Sequence, residues 1–206
     1  MTKNVRSILV FDLGGVLIDW NPRYVYRVLF EGDEEKVEWF LSNICTAAWN
    51  EQQDAGRSFD EAVRVLTGEY PEYELSIRAY YDRWEEMLGG AIEGTVQLLA
   101  ELKERGVPLF ALTNWSAESF PIARQKYPFF DWFDGIVVSG EVGMIKPHPQ
   151  IFRHLVSTHE IQPEHAVFID DNLHNVEAAR QLGFHGVHFL SPTQLRAELE
   201  ALGFLS

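Results

Sequence analysis

Ile8-Leu9-Val10-Phe11-Asp12-Leu13-Gly14-Gly15-Val16-Leu17 is the stretch that decides how this chain folds. Four consecutive apolar residues, without the alternation of a strand that has one wet face, read as a strand buried on both sides of a parallel sheet. The run stops at an aspartate and two glycines, so a carboxylate is delivered on a tight turn at the strand's C-terminal end. In open α/β sheets that edge is where ligands bind. Asp12 alone could be no more than a helix N-cap. Its meaning depends on what else reaches the same edge.

Three further runs of this kind follow, at residues 107–112, 135–139 and 166–169, with a weaker fifth at 186–189. Helical patterns separate them. Residues 95–105 carry Val96, Leu98, Leu99 and Leu102 at helical spacing and stop at Gly106. Ile151, Leu155 and Val156 mark a second helix, residues 176–182 a third that ends at Gly183, and Leu195, Leu199 and Leu202 a last amphipathic stripe. Strands alternating with helices predict an α/β fold with a doubly wound parallel sheet flanked by helices. Residues 21–90 break the rhythm: they are rich in Glu, Trp, Tyr and Leu, have helical periodicity and contain no convincing strand. The expected organisation is a core of residues 1–20 and 91–206 with an all-helical insert at 21–90, closed by a hinge at Gly89-Gly90. Leaving from the end of the first strand, the insert would sit over the site as a lid. Its acidic run 33–38 reads as a solvated helix face.

The strand ends carry a coherent set of polar groups. After the first come Asp12 and the Leu13-Gly14-Gly15 turn, after the second Thr113-Asn114, beyond the third Lys146-Pro147, and after the fourth Asp170-Asp171-Asn172. Three carboxylates, a hydroxyl, an amide and a lysine suit phosphoryl transfer. A phosphate monoester is very slow to hydrolyse, so its catalyst must hold and neutralise up to two negative charges. Clustered carboxylates would repel each other and the phosphate unless a divalent cation intervenes, and hard oxygen donors favour Mg²⁺ over zinc. One carboxylate can then attack phosphorus to give an aspartyl-phosphate that water later hydrolyses. Thr113 and the N–H groups after Asp12 would grip phosphate oxygens, and Lys146 would act as a fixed charge.

These residues resemble the four motifs of the haloacid dehalogenase superfamily, in order and on the expected elements: Phe11-Asp12-Leu13-Gly14-Gly15-Val16-Leu17, Leu112-Thr113-Asn114, Lys146-Pro147 and Phe168-Ile169-Asp170-Asp171-Asn172. The insert is similar to the family's helical cap, and Trp49 followed by Asp54-Ala55-Gly56-Arg57-Ser58 resembles a common cap segment. The resemblance implies a Rossmann-like core with an inserted helical cap. It makes Asp12 the nucleophile and, with the Gly14 carbonyl, Asp170 and Asp171, a ligand of Mg²⁺. Leu13, Gly14, Thr113, Asn114 and Lys146 would bind the phosphate. Asp171 is the expected direct ligand of the final pair, with Asp170 binding directly or through water, and Asn175 a support for Asp170.

One departure matters. Most phosphatases of the family carry a second aspartate where this chain has Gly14, and that side chain protonates the leaving oxygen and then activates water. Three readings stay open. One is a substrate whose leaving group departs easily, such as a sugar 1-phosphate; the bacterial α-glucose-1-phosphate phosphatases have a similar Asp-Leu-Gly motif and a small helical cap. Asp19 or a cap residue could substitute. Or the chemistry differs: 2-haloacid dehalogenases share the nucleophile, need no metal and also lack the second carboxylate. The adjacent pair Asp170-Asp171 speaks against a metal-free site, where its charges would be poorly compensated, whereas Arg23 could bind a carboxylate substrate. A binding or regulatory protein with weak turnover is a third class.

The remaining features narrow the setting. A formal net charge of −14 over 206 residues makes nucleic acid and anionic membranes poor partners, leaving a small phosphorylated metabolite. Cys45 is the only cysteine, and Met1-Thr2-Lys3-Asn4 leads into the first strand without a signal-peptide pattern, so the cytoplasm is the expected location, as monomer or homodimer. The seven histidines, all from His148 onward, form no pair at zinc-ligand spacing; His148 and His174 lie nearest the site. Trp115 could wall the substrate pocket. Trp20, Trp39, Trp49 and Trp84 are expected to pack the cap, with Trp20 or Trp49 facing substrate.

Overall fold

The computed structural model describes residues 7–205; the expectation drawn from residues 1–4 lies outside them. The chain forms a five-stranded sheet in the order β5-β4-β1-β6-β7, with β1 at Ile8–Phe11, β4 at Leu109–Thr113, β5 at Gly135–Val138, β6 at Ala166–Asp170 and β7 at His185–His188. Every pairing is parallel. The expected strands are all present, shifted by one or two residues at their ends.

Burial explains why their sequences do not alternate. Val10, Leu112, Val137 and Phe168 pack on one face with Ile151, Phe152, Leu155 and Ala179. Leu9, Phe11, Ala111, Val138, Val167 and Ile169 pack on the other, with Leu98, Leu99, Leu102, Leu195 and Leu199. Both faces are covered by helices, so each strand position needs an apolar residue.

Residues 23–82 form five α-helices: α1 (Arg23–Leu29), α2 (Glu34–Asn43), α3 (Ala47–Asp54), α4 (Phe59–Glu69) and α5 (Glu74–Asp82). Asp33, Thr46 and Ser58 cap three of them by accepting the N–H groups of Lys36, Trp49 and Glu61. Their shared core is aromatic, with Tyr26 ringed by Phe30, Phe40 and Tyr80 at centroid distances of 5.7, 4.8 and 6.2 Å. The expected hinge is a strand instead. Leu88–Ala91 (β3) pairs antiparallel with Ile18–Trp20 (β2), Asp19 opposite Gly90. A short glycine-rich strand gives no periodicity signal, and its tie to β2 is non-local. The glycine at 89 suits a close approach, because a Cβ there would run into the Asp19 carboxylate and the Tyr24 ring.

The core helices are α6 (Glu93–Glu104), α7 (Phe120–Lys126), the single turn α8 (Ser139–Val142), α9 (Pro149–His159), α10 (Leu173–Gln181) and α11 (Pro192–Ala201). Among the described residues no helix is long and apolar enough to cross a membrane.

Phe168 is fully buried on β6, edge-on to Phe152 at 5.3 Å and near Phe184 at 6.3 Å. Phe168→Ala is expected to cost about 3–5 kcal/mol, read as a lowered urea midpoint with unchanged slope.

Candidate active site

Sheet register assembles the site. Phe11 pairs with Ile169, and the Asp12 N–H continues the ladder by donating to the Ile169 carbonyl at 2.8 Å. Asp12 and Asp170 therefore stand side by side on the same face of neighbouring strands. The loop beyond β5 brings Lys146 between them. Its Nζ lies 2.9 Å from Asp12 Oδ1 and 2.7 Å from Asp170 Oδ2, with the lysine side chain fully buried. Oxygens of Asp12, Asp170 and Asp171 all lie within 4.8 Å of one another.

The lysine is held by its backbone. Asn114 accepts the Lys146 N–H at 2.8 Å through Oδ1 and donates Nδ2 to the Lys146 carbonyl at 2.9 Å. Asn114 therefore fixes the lysine backbone while it also lines the cavity above it. Ser139 ties the loops after β4 and β5 together: its Oγ accepts the Trp115 N–H at 2.9 Å and donates to the Trp115 carbonyl at 3.3 Å. Asp170 is fully buried and accepts from Lys146, from the Asn172 N–H at 2.8 Å and from Asn175 Nδ2 at 3.1 Å to each oxygen. Asn175 thus supports Asp170 as expected. Asp171 is exposed at the rim.

The turn after Asp12 folds back on itself. The Leu13 N–H donates to Asp12 Oδ1 at 2.7 Å, the Leu13 carbonyl accepts from Leu17 and Ile18, and the Leu13 side chain is buried in the core. Gly15 has φ +73°, and a Cβ there would collide with the Asp171 carboxylate. Gly14 is different: a Cβ added there meets nothing within 4 Å. The missing aspartate at position 14 is not a steric exclusion. Thr113 ends β4 and is buried.

Above these groups is a cavity of about 250 Å³ between core and insert. Asp12, Gly14, Asn114 and Asp171 form its floor, Trp20, Phe59, Tyr81, Trp84 and Trp115 its aromatic walls, and Asn50, Asp54, Ser116 and Ser119 add polar atoms. Trp20, Trp84 and Trp115 therefore line the cavity. Trp49 does not; it packs on Tyr80 and Tyr81. Trp39 lies at the insert surface against Tyr73, 45% exposed. Arg23 points away from the cavity into a two-pronged pair with Glu38 at 2.5 and 2.7 Å. Asp19 is bound by the Tyr24 hydroxyl at 2.5 Å and lies against Gly89. His148 and His174 are exposed and outside the lining. Phe59, Tyr81 and Asn50 carried no signal in the sequence, because their meeting depends on how the insert helices pack.

Electrostatics set the chemistry. Burial pushes the Asp12 carboxyl up to about 8; Lys146 opposes the rise, and repulsion from Asp170 and Asp171 adds to it. The Lys146 ammonium is held above its ordinary value because its two carboxylate partners outweigh its burial. Partial desolvation against the turn and the neighbouring Asp170 raise the Asp171 carboxyl. Three carboxylates around one ammonium resist full ionisation, and their oxygens are close enough together to hold a cation.

A family model for haloacid dehalogenase-like hydrolases matches residues 7–183. The chain belongs to this family. The hydrolase is 30% identical over 194 residues to a sesquiterpene phosphatase of Aspergillus oryzae, covering 94% of each chain. It is 23% identical over 211 residues to a D-ribitol-5-phosphate phosphatase of Bacteroides thetaiotaomicron, covering 98% of each. Among solved structures, it superposes on a family enzyme from Bacteroides thetaiotaomicron in complex with magnesium and inorganic phosphate, with a TM-score of 0.66 and 25% identity, over 90% of this chain and 94% of that one.

Folding favours the protonated form of Asp12. Its contribution to stability is therefore fully present below the ordinary value of 3.8 and is lost as pH rises through about 8. In chelator-treated protein, Asp12→Asn is expected to raise the melting temperature at pH 8 and to change it little at pH 4, measured by thermal denaturation across that range.

Proposed function

We propose that this hydrolase is a Mg²⁺-dependent phosphatase that cleaves a small phosphorylated metabolite through an aspartyl-phosphate on Asp12. The observation that carries the reading is the Lys146 ammonium bridging Asp12 and Asp170, with Asp171 beside them at the mouth of a cavity. Asp12, Asp170, Asp171 and the Gly14 carbonyl would hold the metal. Asp171 has the freer carboxylate, since Asp170 already accepts from Lys146, Asn172 and Asn175. Bound Mg²⁺ would neutralise the carboxylates and the phosphoryl oxygens. Asp12 attacks phosphorus from a fixed position, because the lysine and the Leu13 N–H both hold its Oδ1. The Gly14 N–H and the Thr113 hydroxyl would take phosphoryl oxygens, while the Leu13 N–H stays with Asp12 and Asn114 holds Lys146 from the cavity floor.

The substrate's organic part meets five aromatic rings in about 250 Å³, which suits a small group with an apolar or flat face. The name of the sesquiterpene phosphatase relative supports an apolar group; a sugar 1-phosphate is the polar competitor. Dehalogenation of a 2-haloacid is disfavoured by the acidic pair and by Arg23, which is bound to Glu38. No arginine lines the cavity among the described residues. We place the enzyme in the cytoplasm.

Hydrolysis of p-nitrophenyl phosphate is expected with Mg²⁺ and not with EDTA, and Asp12→Asn is expected to lower it on the order of 10⁴-fold or more. A panel of sugar 1-phosphates and prenyl monophosphates then ranks substrates, the prenyl esters having the higher kcat/KM. Chloride release from 2-chloropropionate in EDTA would overturn the phosphatase reading, and a folded protein silent in both assays would make it a binding protein.

A further inference from the structure

The space beside Asp12 that Gly14 leaves open needs a proton donor if the leaving group is an ordinary alcohol. Four titratable residues line the cavity: Asp12, Asp171, Asp54 and Tyr81. Asp12 and Asp171 belong to the nucleophile and the metal site. The Tyr81 hydroxyl accepts from Gln53 at 2.7 Å and donates to Asn50 at 3.4 Å, and burial pushes it far above neutrality. Asp19 is excluded by position. It is committed to Tyr24 and packed against Gly89, and it is not among the residues that line the cavity.

Asp54 fits. It ends α3 at the point where the insert touches the core. Gly56, at φ +105°, allows that contact, since a Cβ there would lie 3.4 Å from the Gly140 carbonyl. The Phe59 N–H adds a tie to Glu118 at 2.7 Å. The Asp54 carboxyl is steadied by Asn50 Nδ2 at 3.2 Å and by the Ser116 backbone. Burial pushes its pKa up to about 7, helped by Glu51 and opposed by Ser116 and Lys146. An acid in that range can give a proton and take one back near neutral pH.

We propose that Asp54 is the general acid and base of this hydrolase, supplied by the insert in place of the side chain absent at position 14. The inference rests on the phosphatase reading above. As the Asp12 oxygen bonds to phosphorus, the bond from phosphorus to the organic oxygen breaks and that oxygen takes the Asp54 proton, leaving as the alcohol. Water then bonds to phosphorus and gives a proton to the Asp54 carboxylate. The bond from Asp12 to phosphorus breaks, orthophosphate leaves, and both aspartates return to their starting states.

Leaving-group dependence tests this in the full chain with Mg²⁺. For Asp54→Asn, p-nitrophenyl phosphate is expected to give a burst of about one nitrophenolate per enzyme, followed by turnover slowed ~10²-fold or more. Phenyl phosphate, with the poorer leaving group, is expected to give no burst and to fall by at least ~10² in single turnover. Gly14→Asp added to Asp54→Asn is expected to restore phenyl phosphate turnover, and circular dichroism reports folding of each variant. Asp54→Asn equal to wild type on both esters overturns the inference while leaving the phosphatase reading intact. Equal losses on both without a burst or rescue also overturn it, as the mark of a purely structural residue. Wild-type protein inactive on every phosphate ester overturns both proposals.

Discussion

The buried ammonium of Lys146 is the constraint on which the site depends. It sits between two carboxylates that adjacent parallel strands force together, Asp12 and Asp170, and it is fully removed from water. A lysine carries a large desolvation cost in such a place, and only close, hydrogen-bonded carboxylates offset it. Removing Asp170 would take from the ammonium its shorter ion pair, at 2.7 Å, and removing the lysine would leave two buried carboxylates facing each other. The Asn114 amide, the Ser139 hydroxyl and Asn175 secure this arrangement through the loops after β4 and β5 and the first turn of α10. They let the loops at three strand ends act as one rigid unit.

That unit carries more carboxylates than cationic groups. The sum of three carboxylates and one lysine leaves a site that resists full ionisation, as the raised Asp12 shows. Such a charge pattern would be wasteful for stability alone and suits a site that gathers a cation and an anionic substrate together. Gly15 belongs to the same design. Its left-handed backbone and missing Cβ let Asp171 lean across the turn toward Asp12, so the motif's second glycine serves the carboxylate cluster as well as the turn.

How much of this was legible in the sequence follows from what is local and what is not. The core strands announced themselves because burial on both faces demands continuous apolar runs, as in Leu9 to Phe11 and Val167 to Ile169. The motif residues Asp12, Lys146, Asp170 and Asp171 could be gathered because parallel topology sends every strand's C-terminal end to one edge. Asn114 could be placed there too, but its use could not be read: an amide at a strand end can face a ligand or a neighbouring loop, and only the fold shows that it holds the Lys146 backbone. The β2–β3 ribbon escaped because Leu88–Ala91 is mostly glycine and small residues, and its partner lies some seventy residues earlier in the chain. Arg23 and Asp19 were ambiguous for a similar reason. Their partners, Glu38 and Tyr24, are set by helix packing within the insert.

The same limit explains why the cavity walls are so divided in origin. The floor comes from strand ends that any chain of this topology must place together, while Asn50, Asp54, Phe59 and Tyr81 come from α3, the start of α4 and α5. The acidic floor and the part of the wall made by Asn50, Asp54, Phe59 and Tyr81 therefore come from different layers, with Trp115, Ser116 and Ser119 completing the wall from the core side, and the layers meet at the Gly56–Gly140 approach and at the β2–β3 ribbon. A change in the insert can alter which organic group fits without disturbing Asp12 and Lys146. It follows that position 14 need not carry a reactive side chain if the insert reaches the same space. The floor then keeps its geometry, and the identity of the leaving group becomes a property of the insert.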